Sequence, residues 1–94
     1  MADLLHVTDE ASWAAAQQHG GYDLPAGGFI HLCTEDQLAF VLEVHFAGRG
    51  ALVVLHLESD GRDVRWERSE PGMEPFPHLY EKLPADAVTR IERI

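Results

Sequence analysis

A chain of 94 residues with 46% hydrophobic and 24% charged residues has an ordinary globular composition, and its length predicts a single domain over residues 1–94. Sixteen acidic against seven basic residues give a formal charge of −9, which repels polyphosphate and argues against bulk nucleic-acid binding. There is no apolar run of membrane-spanning length, no pattern of a secretory signal at the start, and no second cysteine to pair with Cys33. We therefore expect a cytoplasmic protein with no membrane partner, and the oligomeric state stays open.

The first quarter of the chain predicts a strand followed by a helix. Residues 4–7 alternate as a short strand, in which His6 lies on the face opposite its two immediate neighbours. Thr8 or Asp9 then caps a helix that ends at the Gly-Gly pair of residues 20–21.

A second strand and a second helix follow a loop at residues 22–28. Residues 29–33 are predicted as a strand with His31 on one face and its apolar neighbours on the other. Thr34 and Gln37 have the spacing of a capping box, which predicts the start of an amphipathic helix. The stripe of that helix consists of Leu38, Val41, Leu42 and His45.

The second half of the chain predicts a central strand and a hairpin. Residues 51–57 are almost continuously apolar, as in a strand with neighbours on both sides, and the turn at residues 59–62 returns the chain through Val64 and Trp66. The later elements are a loop at 68–77, an extended segment at 76–80, a turn or short helix at 84–87 and an edge strand at 88–94. Four aromatic side chains are expected in the core: Trp13, Phe40, Phe46 and Trp66. The elements together predict a small α+β domain.

Four of the six histidines lie in extended segments next to apolar residues, and they are His6, His31, His56 and His78. If the strands share a sheet, these imidazoles line one cleft. Alternatively, each is a separate core or surface residue whose ring is satisfied by backbone groups, which for any single histidine is the stronger interpretation. No short paired spacing of histidines favours zinc, so no metal is expected. Cys33 is expected to be a buried structural thiol.

Three arginines, at positions 62, 65 and 68, fall within seven positions. They either form a small basic pocket for an anionic ligand or balance the neighbouring carboxylates on a solvated turn. The second interpretation is the stronger one, because surface arginines next to acidic residues usually pair with them.

The order of sequence blocks resembles the bacterial family called domain of unknown function 952. The blocks are Leu5-His6-Val7-Thr8, the Trp13 helix, Gly28-Phe29-Ile30-His31-Leu32, the Gln37 helix, Val53-Val54-Leu55, Trp66-Glu67 and Phe76-Pro77-His78-Leu79-Tyr80. The second and last histidine blocks are specific in combination. Cys33 stands where such proteins more often carry a serine.

The same blocks look like a reduced ADP-ribosyltransferase-type fold, most similar to RNA 2′-phosphotransferases. This resemblance implies a small split mixed β-sheet with two main helices, and a cleft for a small nucleotide-like ligand such as NAD or a phosphorylated ribose. It favours a shared cleft for His6, His31 and His78, and it does not cover His56. It implies catalytic roles for His6, His31, His78 and Glu67, with Glu81 a competitor for the place of the glutamate, and ligand-binding roles for Thr8, Phe29 and Tyr80. A ribosyl or phosphoryl transferase and an inactive ligand-binding or protein-interaction module of the same fold are equally strong expectations.

Overall fold

The computed structural model describes residues 3–68 and 70–94, which contain two helices and eight short strands. The helices are α1 (Glu10–Gln18) and α2 (Glu35–His45). The strands are β1 (Asp3–Asp9), β2 (Gly21–Tyr22), β3 (Ile30–His31), β4 (Leu52–Glu58), β5 (Val64–Glu67), β6 (Phe76–Leu79), β7 (Leu83–Pro84) and β8 (Val88–Arg93), with a 3₁₀ turn at Ala85–Ala87. The predicted α+β class is confirmed. Ser69, within the predicted loop at 68–77, and the first two residues lie outside the described part.

The strands form three small sheets, with the orders β1-β4-β8, β2-β7 and β3-β6-β5. β4 lies in the middle of the first sheet and β8 at its edge, as predicted. Leu5 and Cys33 exchange two backbone hydrogen bonds of 2.8 Å, which join the free edge of β1 to the segment after β3. Among the described residues, this bridge is the backbone pairing that links the first sheet to the third, and the two sheets diverge beyond it.

The prediction of a mixed sheet is wrong, because every pairing among the described strands is antiparallel. A parallel pair needs a crossover that returns the chain beside the strand it has just left. Here α1 leads from β1 to β2 and α2 leads from β3 to β4, and each helix connects strands of different sheets. No crossover of that kind forms in the described chain.

The predicted hairpin between β4 and β5 is also wrong. The turn itself forms, since the Arg62 N–H donates to the Ser59 carbonyl at 3.1 Å and Gly61 has a φ of +79°. However, β1 and β8 occupy both edges of β4, so β5 pairs with β6 instead. Trp66 lies on this outer strand and is 53% exposed rather than in the core.

The two helices cover opposite faces of the first sheet. Asp9 caps α1 by accepting the Ser12 N–H at 2.6 Å, and Thr34 and Gln37 form the predicted capping box of α2 with bonds of 3.1 and 3.2 Å. Because side chains alternate along a strand, β4 serves both helices. Val53 and Leu55 pack on the α1 side with Trp13 and Ala16, and Val54 packs on the α2 side with Leu5, Val7 and Cys33. Of the other aromatics expected in the core, Phe46 is partly buried and Phe40 is 42% exposed.

Candidate functional site

A cavity of about 330 Å³ lies where the first and third sheets diverge, next to α2. Its apolar wall is made by β1, by Leu32 and Cys33, by the second half of α2 and by the start of β6. Four histidines are among the described residues that line it: His6, His31, His45 and His78. No lysine, arginine, aspartate or glutamate is among the described residues that line it. The cavity is thus apolar, with histidines as its only ionisable groups besides the Cys33 thiol.

The third sheet positions two of these histidines side by side. His31 of β3 pairs in register with His78 of β6, so both side chains project from the same face. Their ring centroids are 5.6 Å apart and the rings are nearly perpendicular, at 82°. The opposite face carries Ile30 and Leu79, which belong to the core. Strand alternation therefore anchors the sheet on one side and presents histidines on the other.

His78 is held by a hydrogen bond to Glu67 and by stacking on Phe29. Its Nδ1 lies 2.8 Å from the Oε1 atom of Glu67, and the Tyr80 hydroxyl donates to the same oxygen at 2.5 Å. Phe29 stacks on the imidazole with centroids 3.8 Å apart and planes 17° apart. His78 is only 5% exposed, so the position of its ring is set by the protein. Arg65 lies over the Tyr80 ring, 4.2 Å from its centroid.

The hydrogen bonds at Glu67 show which of Glu67, His78 and Tyr80 donates a proton and which accepts. The Tyr80 and His78 donors lower the pKa of the Glu67 carboxyl, which keeps it ionised at neutral pH. In return, the bond to Glu67 raises the pKa of the Tyr80 hydroxyl. A carboxylate only accepts hydrogen bonds, so His78 must donate from Nδ1. In the neutral ring, the Nε2 atom then carries a lone pair.

His6 and His31 are kept neutral by burial. His6 donates from Nδ1 to the His31 carbonyl oxygen at 2.7 Å, and its ring meets the Tyr22 ring edge-on at 5.1 Å. Burial lowers the pKa of His6 despite this hydrogen bond. Burial is also the main cause of the lowered pKa of His31, and the nearby charges of His78 and His45 lower it further.

The predicted site residues are brought together unevenly. His6, His31 and His78 line the cavity, while Phe29, Glu67 and Tyr80 contact or support His78 from outside it. Thr8 does not line the cavity; it lies near the Tyr22 hydroxyl.

His45 lines the cavity and was not predicted as a site residue. The sequence contained a signal for it, because His45 is the one ionisable member of the apolar stripe of α2. A histidine at that position faces the core side of its helix. Its place in the last turn, where a positive charge is favoured, suggested only a structural role.

Cys33 contributes a thiol to the cavity wall, but an unreactive one. It is 2% exposed, and burial raises its pKa to about 11. The nucleophilic thiolate is therefore almost absent at neutral pH. Within the described residues, no three His, Cys, Asp or Glu side chains are arranged to hold a metal ion.

The structure separates the two candidate glutamates. Glu81 accepts the backbone N–H of Asp63 at 2.7 Å and pairs with Arg62 at 3.5 Å, so it supports the turn before β5. Glu67 alone of the two contacts a cavity histidine.

Arg65 forms two bonds of 3.2 Å with Asp63, which agrees with the interpretation that the arginines at positions 62, 65 and 68 pair with nearby carboxylates. No helix in the described ranges is long and apolar enough to cross a membrane.

Comparison with known proteins gives one family and one set of similar structures. The profile of the family described as "Protein of unknown function (DUF952)" matches residues 7–91. The crystal structure of protein CC0527 from Caulobacter crescentus has 33% identity and a TM-score of 0.85, over 97% of this chain and 84% of that one. Its solution NMR structure has 35% identity and a TM-score of 0.82, over 98% and 84%. A search of curated proteins found no match.

Proposed function

The chain belongs to the DUF952 family of proteins of unknown function, and we propose that its histidine cavity binds a small nucleotide-like ligand. The ligand class is the nicotinamide-ribose part of a nicotinamide dinucleotide, or a related phosphorylated ribose. One observation carries the proposal. His6, His31 and His78, which are far apart in sequence, line a single cavity of about 330 Å³. Small-molecule pockets fall in the range of about 300–1,000 Å³ and combine apolar walls with a few polar groups.

The size and charge of the cavity favour one end of a dinucleotide over the whole molecule. Its volume of about 330 Å³ is near the lower limit of that range, and no cationic side chain among the described residues lines it. A diphosphate would therefore remain in solvent. A planar heterocycle and its ribose would contact the apolar wall, while the imidazoles bond to amide and hydroxyl groups.

Binding without turnover is the function that the geometry supports best. The Glu67 oxygen already accepts from both His78 and Tyr80, and Glu67 does not line the cavity. This arrangement suits a module that keeps an ADP-ribosyltransferase-like cleft and has no catalytic carboxylate directed into it.

A ribosyl transferase is the second candidate, favoured by the ionised state of Glu67 beside His78. In such a transfer the bond between ribose C1′ and the nicotinamide nitrogen breaks, the electron pair leaves with nicotinamide, and the hydroxyl oxygen of an acceptor or of water forms the new bond to C1′ and releases its proton. Positive charge develops on the sugar, as in glycoside cleavage, and a nearby anion stabilises it. Glu67 would act through His78 rather than by contact.

Titration of the protein with NAD, nicotinamide mononucleotide or ADP-ribose tests binding. We expect NMR shifts at His31, His45 and His78 at millimolar ligand or below, with none at the exposed His19, which lies at the end of α1. His31→Ala should weaken binding roughly tenfold or more, as expected for loss of a polar contact, while His19→Ala should not change it. Chromatography of the mixture for released nicotinamide separates the transferase from the binding module. Absence of shifts at the cavity histidines contradicts the proposal.

A further inference from the structure

We infer that the cavity selects a neutral hydrogen-bond donor, such as a carboxamide, over a carboxylate, because His78 meets the ligand with an unprotonated Nε2 atom. This inference rests on the proposed binding function and names the chemical group that the site recognises. It depends on hydrogen-bond geometry around one imidazole and on the set of residues that line the cavity.

The Nδ1 proton of His78 is donated to Glu67, which does not line the cavity. Glu67 Oε1 receives two donors, the Tyr80 hydroxyl at 2.5 Å and His78 Nδ1 at 2.8 Å. The hydroxyl proton serves Glu67 and the carboxylate has no proton to return, so His78 must carry a proton on Nδ1. In the neutral ring this is the Nδ1–H tautomer, which leaves the lone pair on Nε2. A carboxylate fixes the tautomer of histidine in this way in many binding and catalytic sites.

The imidazole of His78 cannot easily turn to present another edge. Phe29 stacks on it at 3.8 Å, and a rotation by 180° would exchange Nδ1 for a carbon and break the bond to Glu67. Nε2 has no hydrogen-bond partner in residues 3–68 and 70–94, although His78 lines the cavity. This atom is therefore an acceptor that a ligand can satisfy.

A second imidazole of the cavity has the same polarity. His6 donates from Nδ1 to the His31 carbonyl, which leaves its Nε2 as an acceptor too. Around these acceptors the described lining offers no lysine or arginine to balance a negative charge. A carboxylate would meet lone pairs without a donor, with the ionised Glu67 behind His78. An amide offers N–H donors and no charge.

Two probes that differ only in this group test the inference: nicotinamide mononucleotide and nicotinic acid mononucleotide. We expect the amide to bind at least about tenfold more tightly, since an unsatisfied acceptor in a partly buried site is costly. Glu67→Gln removes the carboxylate that fixes the tautomer and should bring the ratio of the two affinities towards one. Glu81→Gln is the matched control, because it removes the same charge from a carboxylate that bonds to Asp63, and it should keep the selectivity.

The ¹⁵N chemical shifts of the His78 ring in the unaltered protein give an answer that needs no variant. We expect a protonated Nδ1 and an unprotonated Nε2 at pH 7.5. A protonated Nε2, equal affinities, or tighter binding of the acid overturns the inference while leaving the proposed function intact. If neither mononucleotide binds, the proposed function fails and the inference fails with it.

Discussion

The histidines of the cavity differ in which group accepts a hydrogen bond from the imidazole. His78 is oriented by Glu67, a side chain on the neighbouring strand, whereas His6 is oriented by the His31 backbone. His45 comes from α2, and its charge is close enough to influence His31. Two of the four rings, those of His6 and His78, are therefore preorganised. Preorganised polar groups in an apolar cavity give selectivity, because they need no rearrangement on binding.

At this scale the lowered pKa of His6 predicts a pH dependence of stability. In the unfolded chain His6 takes up a proton near pH 6.5, whereas the folded protein resists protonation because the ring is buried. Below that pH the unfolded state binds more protons, so the free energy of unfolding must decrease as the pH falls. We expect the urea midpoint to drop between pH 7 and pH 5, with a contribution of the same sign from His31.

The slope can be assigned with two variants. His6→Asn keeps a donor for the His31 carbonyl but cannot titrate, so its urea midpoint should depend less on pH. His19→Gln should keep the wild-type slope. The window ends at pH 5 because carboxylates such as Asp9 and Glu67, whose pKa values are lowered, contribute only at lower pH. A urea midpoint that is constant from pH 7 to pH 5 would refute the assignment.

At the scale of elements, the smallest sheet holds the ring that lies beside His6. β2 pairs with β7 through Gly21 and Tyr22, and the Tyr22 ring contacts both His6 and Trp13. The approach of the two strands is very close at Gly21. A Cβ atom there would lie 2.2 Å from the Leu83 carbonyl oxygen, and Gly21 has a φ of +140°. The Gly-Gly pair therefore does more than end α1, which was its predicted role.

The two glycines predict different costs of substitution. Gly20 has a φ of +81° and open space around it, so Gly20→Ala should cost only the conformational strain of about 1–2 kcal/mol. Gly21→Ala meets the same restriction and a backbone clash, which should add about 1–3 kcal/mol. Urea unfolding of both variants measures the difference. Equal destabilisation would mean that β2 and β7 separate without cost.

At the scale of the whole molecule, stability is expected to be uneven between the sheets. β4 is paired on both sides and packs against both helices, and Val53, Leu55 and Leu57 are fully buried. β5 is an outer strand of four residues with Trp66 half exposed. Among the described pairings the third sheet meets the first only at the Leu5–Cys33 bridge.

Hydrogen exchange measured by NMR can detect this difference. We expect the amides of β4 to exchange only on global unfolding and those of β5 to exchange through a smaller opening of lower free energy. Bound ligand should slow exchange at His78 and its neighbours more than in β4. Identical exchange free energies for the two strands would show that the molecule opens as one unit.

Much of the local structure follows from the sequence, because its signals act between neighbours in the chain. The cap at Thr34 and the apolar run of β4 were predicted and are confirmed, and of the two residues predicted to cap α1, Thr8 and Asp9, Asp9 does so. Alternation along β6 also predicts that His78 lies on the face opposite Leu79, which belongs to the core. These features need only residues within one turn or one strand.

The partners of each strand and the composition of the cavity were decided by the tertiary structure. The turn after β4 is hairpin-like, yet β5 pairs elsewhere because β1 and β8, from the two ends of the described chain, already occupy both edges of β4. His45 joins the cavity because α2 packs on the open side of the divergence between the sheets, whereas Thr8 does not line it. Which edges are free and which face is covered depends on all elements at once, so no local pattern contains that information.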